Sequence, residues 1–320
     1  MKKILIVGAL GQIGSELTME LRKLYGGENV IASDKKNAVS EKLQNSGPFE
    51  MIDILDRNAI VPLIKKYNVN IIINLAAILS ATGEQNPMLA WNVNINGLIN
   101  VLEVAREYKM QQVLIPSSIA VFGPGTPIDC APQETVLHPS TMYGITKVAG
   151  ELVGDYYVKK YNLDVRGLRY PGIISNETLP GGGTTDYAVA IYYDAVKYGK
   201  YTCFVNEDTR LPMMYMPDCL KATIDLMHAD YSKLIHHSDF NVGAMSFSVK
   251  EMAENIKKYM PSFTIDYKPD FRQAIADSWP DSVDDTAARE EWGWKPRYDL
   301  DAMTQDMLKV IGEKHKQGLI

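Results

Sequence analysis

Cysteine is scarce: the 320 residues hold three, Cys130, Cys203 and Cys219. An odd, widely spaced set makes neither a disulfide framework nor the paired spacing of a zinc site. It points to a reducing compartment, the cytoplasm, and to no bound metal. Positive charge is also in deficit, with 33 Lys and Arg against 39 Asp and Glu and a formal net charge of -6. The Lys-Lys pairs at 2–3, 35–36, 65–66, 159–160 and 257–258 read as solvated turns and helix faces, so no basic stripe marks a nucleic-acid binder. Long apolar runs are missing. No segment approaches the roughly 18–20 residues a membrane span needs. MKKILIVGALGQIG imitates a signal peptide, but its apolar stretch is short and breaks at Gly-x-x-Gly, so a buried strand from residue 3 is expected instead. Internal repeats and low-complexity linkers are absent. What remains, 46% hydrophobic and 22% charged residues, is the composition of a globular enzyme, long enough for a large domain and a smaller one.

Periodicity supplies the fold class. Apolar runs at 3–7, 29–33, 70–74, 112–116 and 163–169 read as buried strands. Helical patterns at 12–25, 56–67, 87–108 and 140–161 alternate with them. Such alternation predicts an α/β protein with a doubly wound parallel sheet, covered on both faces. Pro62 is expected in the first turn of its helix, where proline is tolerated. The character changes near 170. Residues 171–186, rich in Gly, Pro and Thr, read as a flexible loop. Helices are expected at 186–198, 217–229, 249–259 and 300–314, and short strands at 201–205 and 240–242. We therefore expect a sheet domain over 1–175 and a smaller α/β substrate lobe over 176–320, with some of its chain returning to the sheet.

Gly8-Ala9-Leu10-Gly11-Gln12-Ile13-Gly14 follows the first strand and opens a helix. Glycines there let the backbone approach a pyrophosphate, and the helix N-terminus offers free N–H groups and a favourable dipole. A tight turn without ligand is the plainer reading, and the strand-before, helix-after context speaks against it. Asp34, about twenty residues on, is placed to accept from adenosine ribose hydroxyls, which favours NAD over NADP; Lys35 and Lys36 weaken that preference. Asp53, after a third strand, is either an adenine acceptor or a loop and helix-capping residue. The fourth strand ends in NLAAILS, where Ala76 and Ala77 leave room for a flat cofactor and Ser80 faces substrate. The fifth ends in PSSIAVFG with Ser117 and Ser118. Tyr143 and Lys147 share one face of the next helix. Taken singly, Ser118 is a strand-end hydroxyl and Tyr143 and Lys147 are surface residues. Jointly they make a catalytic set.

In order and spacing, Gly8, Gly11, Gly14, Asp34, Ala76, Ala77, Asn94, Ser118, Tyr143 and Lys147 resemble the extended branch of the short-chain dehydrogenase/reductase superfamily. ILSATGEQNP, SSIAVFGPGTP, LRYPGIIS, GGGTTDYAVAIYYDAV, LPMMYMPDCLKA and Trp279-Pro280 resemble its NAD-dependent L-threonine 3-dehydrogenases over almost the whole chain. The resemblance implies a Rossmann sheet, NAD as cofactor and oxidation of the L-threonine 3-hydroxyl to 2-amino-3-oxobutanoate. Tyr143 would act as base, its pKa lowered by Lys147 and the nicotinamide charge. Ser118 would hold the substrate oxygen, and Lys147 would reach the nicotinamide ribose. Asn94 would bend its helix and position the lysine through water. Gln12, Ile13, Ile54, Leu75 and Tyr170 would join the cofactor side.

For a zwitterionic substrate, GGGTTD offers the amides from Gly181 onward, the hydroxyls of Thr184 and Thr185 and the carboxylate of Asp186. Asp186 or Thr185 also reads as a plain helix cap. Trp279 is either a lid over the substrate methyl or a core residue. The LPMMYMPD methionines read as core filler, and Arg210 is either structural or a partner of Asp186. The resemblance implies a homodimer through the helices at 87–108 and 140–161, with Leu152, Val153, Tyr156 and Tyr157 as contacts; the alternative is that the chain's own lobe covers those residues. A ligase that captures the unstable product with coenzyme A is the implied functional partner. Two alternatives stand beside this reading: a UDP-sugar 4-epimerase with the same Ser-Tyr-Lys set, and an NAD-holding sensor without turnover.

Overall fold

The computed structural model describes residues 2–179 and 181–320; Met1 and Pro180, the latter within the expected 171–186 loop, lie outside the described residues. The strands, in chain order, are β1 (Ile4–Val7), β2 (Val30–Asp34), β3 (Phe49–Met51), β4 (Ile71–Asn74), β5 (Gln112–Ser118), β6 (Val165–Tyr170), β7 (Gly172–Ile174), β8 (Lys200–Cys203), β9 (Arg210–Tyr215), β10 (Phe240–Asn241), β11 (Met245–Ser248) and β12 (Thr264–Tyr267). Seven of them form one sheet in the order β10-β6-β5-β4-β1-β2-β3, parallel throughout. The chain starts at β1, winds outward to β3, then returns across β1 to β4. That reversal opens a crevice at the carboxyl ends of β1 and β4, the place where doubly wound sheets bind ligands. The expected doubly wound α/β architecture is thus observed.

The helices are α1 (Gln12–Tyr25), α2 (Glu41–Asn45), α3 (Arg57–Tyr67), α4 (Ser80–Gln85), α5 (Pro87–Trp91), α6 (Gly97–Glu107), α7 (Met142–Tyr161), α8 (Tyr187–Tyr198), α9 (Met216–His228), α10 (Val249–Tyr259), α11 (Arg272–Ala276), α12 (Thr286–Trp292) and α13 (Leu300–Lys316). Helices α1 and α9 cover one face of the sheet, burying Leu17, Leu21 and Met227 against β1, β2 and β4. Helices α3, α6 and α7 cover the other through Ile60, Leu63, Leu98, Val101 and Val158. All four residues of β1 are buried, as a strand covered on both faces requires. Each such aliphatic side chain contributes about 1.5–3 kcal/mol.

Beyond β6 the strands leave the main sheet, except β10, which pairs with β6. β11-β9-β7 form a three-stranded sheet and β12-β8 a parallel pair. Tyr187 and Tyr192 of α8, Met252 and Ile256 of α10 and Met303, Met307 and Ile311 of α13 pack there, and Ile119–Phe122 and Tyr143 join the same core. The start of α7 is therefore wedged between the main sheet and the second core.

Three expectations need correction. Pro62 lies in the second turn of α3, not the first; it is exposed, so the carbonyl it fails to serve faces water. The helix expected over 87–108 is interrupted by a π-helical segment at Asn92–Asn96. The loop expected over 171–186 opens with strand β7, which pairs with Arg210–Tyr215 as β9; Met213 and Met214 of β9 are buried core residues, as expected, and Pro212 stands opposite Ser246 of β11. Arg210 itself donates to the Ser246 carbonyl and pairs with Glu251 at 2.6 Å, tying β11 to α10; Asp186 is not its partner.

Candidate active site

The Gly8–Gly14 turn connects β1 to α1 with no room for side chains. Gly8 has φ +86, and a Cβ there would stand 2.6 Å from the Ala76 nitrogen at the end of β4. A Cβ at Gly14 would overlap the Gly8 carbonyl and press on Ala9. The α1 N-cap, Gly11, makes no side-chain capping bond, so the first N–H groups of α1 face outward from a turn shaped to admit a phosphate. Asp34 ends β2. Its carboxylate accepts from the backbone N–H of Leu10 at 3.1 Å and of Lys36 at 3.0 Å, which fixes it beside the turn. Asp53 pairs with Lys35 at 2.7 Å and accepts from the Leu55 N–H. The lysine holds the Asp53 carboxyl below its usual range, with the Leu55 bond acting the same way. Asp56, not Asp53, caps α3.

Other residues expected near a cofactor divide into two groups. Ala76 and Ala77 line a small cavity with Asn94 and Lys147. Leu75 donates to the Val7 carbonyl and packs against the β1 side. Ile54, by contrast, is buried against Gly97 at the start of α6. The Tyr170 hydroxyl bonds Thr223 of α9, on the far face of the sheet from α7. Gln12 reaches away from the turn to the Ile173 carbonyl, and Ile13 packs in the apolar layers beneath α1.

Helix α7 carries the candidate pair Tyr143 and Lys147. Thr141 caps it by accepting from the Gly144 N–H at 3.0 Å, and Glu84 of α4 accepts from the Met142 N–H at 2.7 Å. Tyr143 and Lys147 are both buried rather than lying on a wet helix face. The Lys147 ammonium donates to the Pro116 carbonyl of β5 at 2.8 Å and stands 5.2 Å from the Tyr143 ring centre. Ser118 caps the short 3-10 turn after β5, accepting from the Ala120 N–H at 3.2 Å. Burial pushes the Tyr143 phenol up to about 12, and a hydrogen bond with Ser118 pulls the other way. Burial pushes Lys147 down to about 8, opposed by the charge of Glu151. The expected lowering of Tyr143 rests on Lys147 and the nicotinamide charge together; among the protein's own groups desolvation dominates.

Asn94 sits in the π-helical segment. It accepts from the Ile78 N–H at 2.8 Å, donates to the Ile78 carbonyl and donates to Thr146 at 3.0 Å, while Thr146 donates to the Tyr143 carbonyl. One side chain thereby ties the β4 exit loop to the catalytic turn of α7. A π turn at a functional site is a recurrent device for aiming one residue.

The 181–186 loop lies over α4. Ser80 and Thr184, both buried, bond hydroxyl to hydroxyl at 3.0 Å, and the Thr184 N–H also donates to Ser80. Gly181 lies over Leu79, and Gly182, at φ +99, over Thr82. Asp186 makes no capping bond to α8. One of its oxygens accepts both the Gly182 and Gly183 N–H at 2.8 Å, closing the loop on itself. Burial raises its carboxyl. The Thr185 methyl packs over Gly172 of β7. Trp279 is buried in the core shared with Tyr143.

Sequence reasoning passed over Glu151. It stands one turn beyond Lys147 and continues the Tyr143–Lys147 stripe, and that spacing could have flagged it. Its carboxylate takes two 2.9 Å bonds from Arg169 of β6 and a short one from Ser117, all three groups being buried. It also passed over Glu84 and Thr146, whose partners are remote in sequence. Among the described residues no cluster suits a metal ion, and no helix is long and apolar enough to cross a membrane.

Residues 4–243 match the NAD dependent epimerase/dehydratase family. An uncharacterized epimerase/dehydratase of Staphylococcus haemolyticus is 48% identical over 317 residues, 99% of each chain. The structure is similar to that of L-threonine dehydrogenase from Clostridium difficile, 54% identical, with a TM-score of 0.95 over 98% of both chains. It is also similar to a monomeric L-threonine 3-dehydrogenase of metagenomic origin, 48% identical, with a TM-score of 0.93 over 97% of this chain and 99% of the other.

Proposed function

The chain belongs to the NAD-dependent epimerase/dehydratase family, and from that premise we propose that it oxidises the 3-hydroxyl of L-threonine, with NAD as cofactor, to 2-amino-3-oxobutanoate. One observation carries the choice within the family: the likeness to L-threonine dehydrogenase runs at 54% identity over 98% of the chain, including the second lobe. The phosphate turn and the Ser-Tyr-Lys set suit many substrates, whereas the 181–186 loop belongs to the lobe that contacts substrate.

The residues fit the cofactor. The side-chain-free turn at Gly8, Gly11 and Gly14 and the open start of α1 would hold the pyrophosphate, Asp34 the adenosine ribose, and Ala76, Ala77, Lys147 and Tyr143 the nicotinamide end. NAD, when bound, supplies the hydride acceptor and a positive ring. Tyr143 takes the proton from the 3-hydroxyl. Since burial holds its phenol near 12, the base form needs positive charge close by, which Lys147 supplies in its ammonium form. Ser118 donates to the same substrate oxygen as charge develops on it. On the substrate side, the free oxygen of Asp186 takes the ammonium group. The Ser80–Thr184 hydroxyl pair and the amides of Gly181 onward serve the carboxylate. Trp279 backs the methyl.

The product loses carbon dioxide readily, so a ligase that captures it with coenzyme A is the functional partner we propose. The compartment is the cytoplasm, in keeping with three unpaired cysteines. Subunits pair through α6 and α7, where Leu152 and Tyr156 are exposed. Tyr157 is excluded from that contact, being buried with its hydroxyl on Glu103, and Val153 is half-buried against the sheet. Tyr143→Phe tests the chemistry. It should abolish threonine oxidation while NAD binding, followed by quenching of protein fluorescence, is retained; a variant with near-normal turnover would return the tyrosine to a packing role.

A further inference from the structure

Beside Lys147, the small cavity that Ala76 and Ala77 line has room for about one water molecule, and its polar walls are Asn74, Asn94, Ser117, Thr146, Lys147 and Glu151. Its polar inventory is unbalanced. The Lys147 ammonium has three donors and gives one to Pro116. The Asn74 side-chain oxygen is buried and has no partner among the described residues. On the far side, Glu151 is immobilised by Arg169 and Ser117. Among the described residues, the titratable groups around Lys147 come from its own helix and from β6. Tyr143 and Glu151 lie on its own helix, Arg169 on β6 behind Glu151, and Asp239 stands 3.7 Å from Arg169. Glu84 meets the helix start. The groups that β4, β5 and the π segment turn toward it are neutral: Asn74, Pro116, Ser117, Asn94.

This arrangement matters because Tyr143 and Lys147 share a proton problem. Phenol with neutral amine and phenolate with ammonium hold the same number of protons. Only the second arrangement makes Tyr143 a base, and the local field chooses between them. We propose that Glu151 is a positioning residue that keeps Lys147 in its ammonium form across this cavity, and so directs the shared proton away from Tyr143. Arg169 and Ser117 aim the carboxylate; Asn74 and the cavity polarise the path between the two charges. Burial drives Lys147 toward the neutral amine and raises the Glu151 carboxyl; the bonds from Arg169 and Ser117 oppose the change at Glu151, whose charge opposes the change at Lys147.

The inference concerns the protein's own residues, and only its kinetic arm rests on the threonine reading. The test is an NMR titration of the protein carrying lysine labelled with carbon-13 at the ε position, without cofactor or substrate, Lys147 being assigned by the signal missing in Lys147→Arg. In Glu151→Gln the Lys147 midpoint should fall by about one pH unit. With NAD and threonine, the alkaline limb of the kcat profile should shift the same way, while KM for threonine changes by less than about threefold. Removing one partner of a buried ion pair strongly destabilises a fold. If the single variant does not fold, Glu151→Gln/Arg169→Gln is titrated against Arg169→Gln, so that the Arg169 charge is absent from both and the Lys147 difference isolates Glu151. A Lys147 midpoint unchanged in a folded variant overturns the proposal. A shifted midpoint with no turnover of threonine supports it and counts only against the substrate reading.

Discussion

Gly14 shows how narrowly single residues constrain the cofactor turn. Its missing side chain is where the Gly8 carbonyl sits, and both obstructing groups are backbone, which cannot swing aside as a side-chain tip would. Gly14→Ala should destabilise the protein by about 1–3 kcal/mol and weaken NAD binding about tenfold or more. Thermal unfolding and NAD titration check the two separately; normal NAD affinity would mean the turn is not the phosphate site. Tyr143 and Lys147 were legible as a pair from their spacing, but their environment was not. Burial of both groups depends on the second core closing over the start of α7, and no local pattern records that. The upward shift of the phenol follows from the same burial.

Among the elements, the six-residue α4 makes contacts at both of its ends. Ser80 at its start holds Thr184 of the substrate loop, and Glu84 in its last turn holds the first N–H of α7. It thus joins the 181–186 loop, the proposed substrate side, to the helix that carries Tyr143. Thr184→Val keeps the volume and the backbone N–H that donates to Ser80 but removes the hydroxyl partner of the buried Ser80 side chain, a loss of about 1–3 kcal/mol. The expected outcome is a threonine KM raised at least about tenfold with NAD affinity unchanged. Equal loss for both ligands would point to misfolding, and no loss would remove the loop from the substrate site. Helix α4 was not foreseen because its sequence, SATGEQ, holds a glycine and lacks an apolar stripe. The π segment was hidden for another reason: its pattern differs from an α-helix by one residue, and Asn94 within it is fixed by the Ile78 backbone, remote in sequence. Strand β9 was obscured by proline and methionine, which rarely sit in a central strand. Long apolar strands and capped helices, where local preference and burial agree, were read within one or two residues.

On the scale of the whole molecule, the parallel sheet and the site at its switch point follow from alternation of apolar strands and amphipathic helices. The composition of the second core does not, since β7, β8, β9, β11 and β12 are short and pair across long separations. Association is a separate question. Leu152 and Tyr156 are 67% and 52% exposed on α7, more than a solvated helix face needs. Leu152→Glu should convert a dimer to a monomer in sedimentation velocity; a wild-type chain that already sediments as a monomer would contradict the proposed pairing, and a relative described as monomeric makes that measurement worth doing first. The central claim concerns substrate, and it is tested most directly by mixing the purified protein with NAD and L-threonine and following absorbance of the reduced cofactor. The account predicts threonine-dependent formation of reduced cofactor, lost in Tyr143→Phe. No signal with threonine, together with 4-epimerisation of a UDP-sugar by the same preparation, would contradict it.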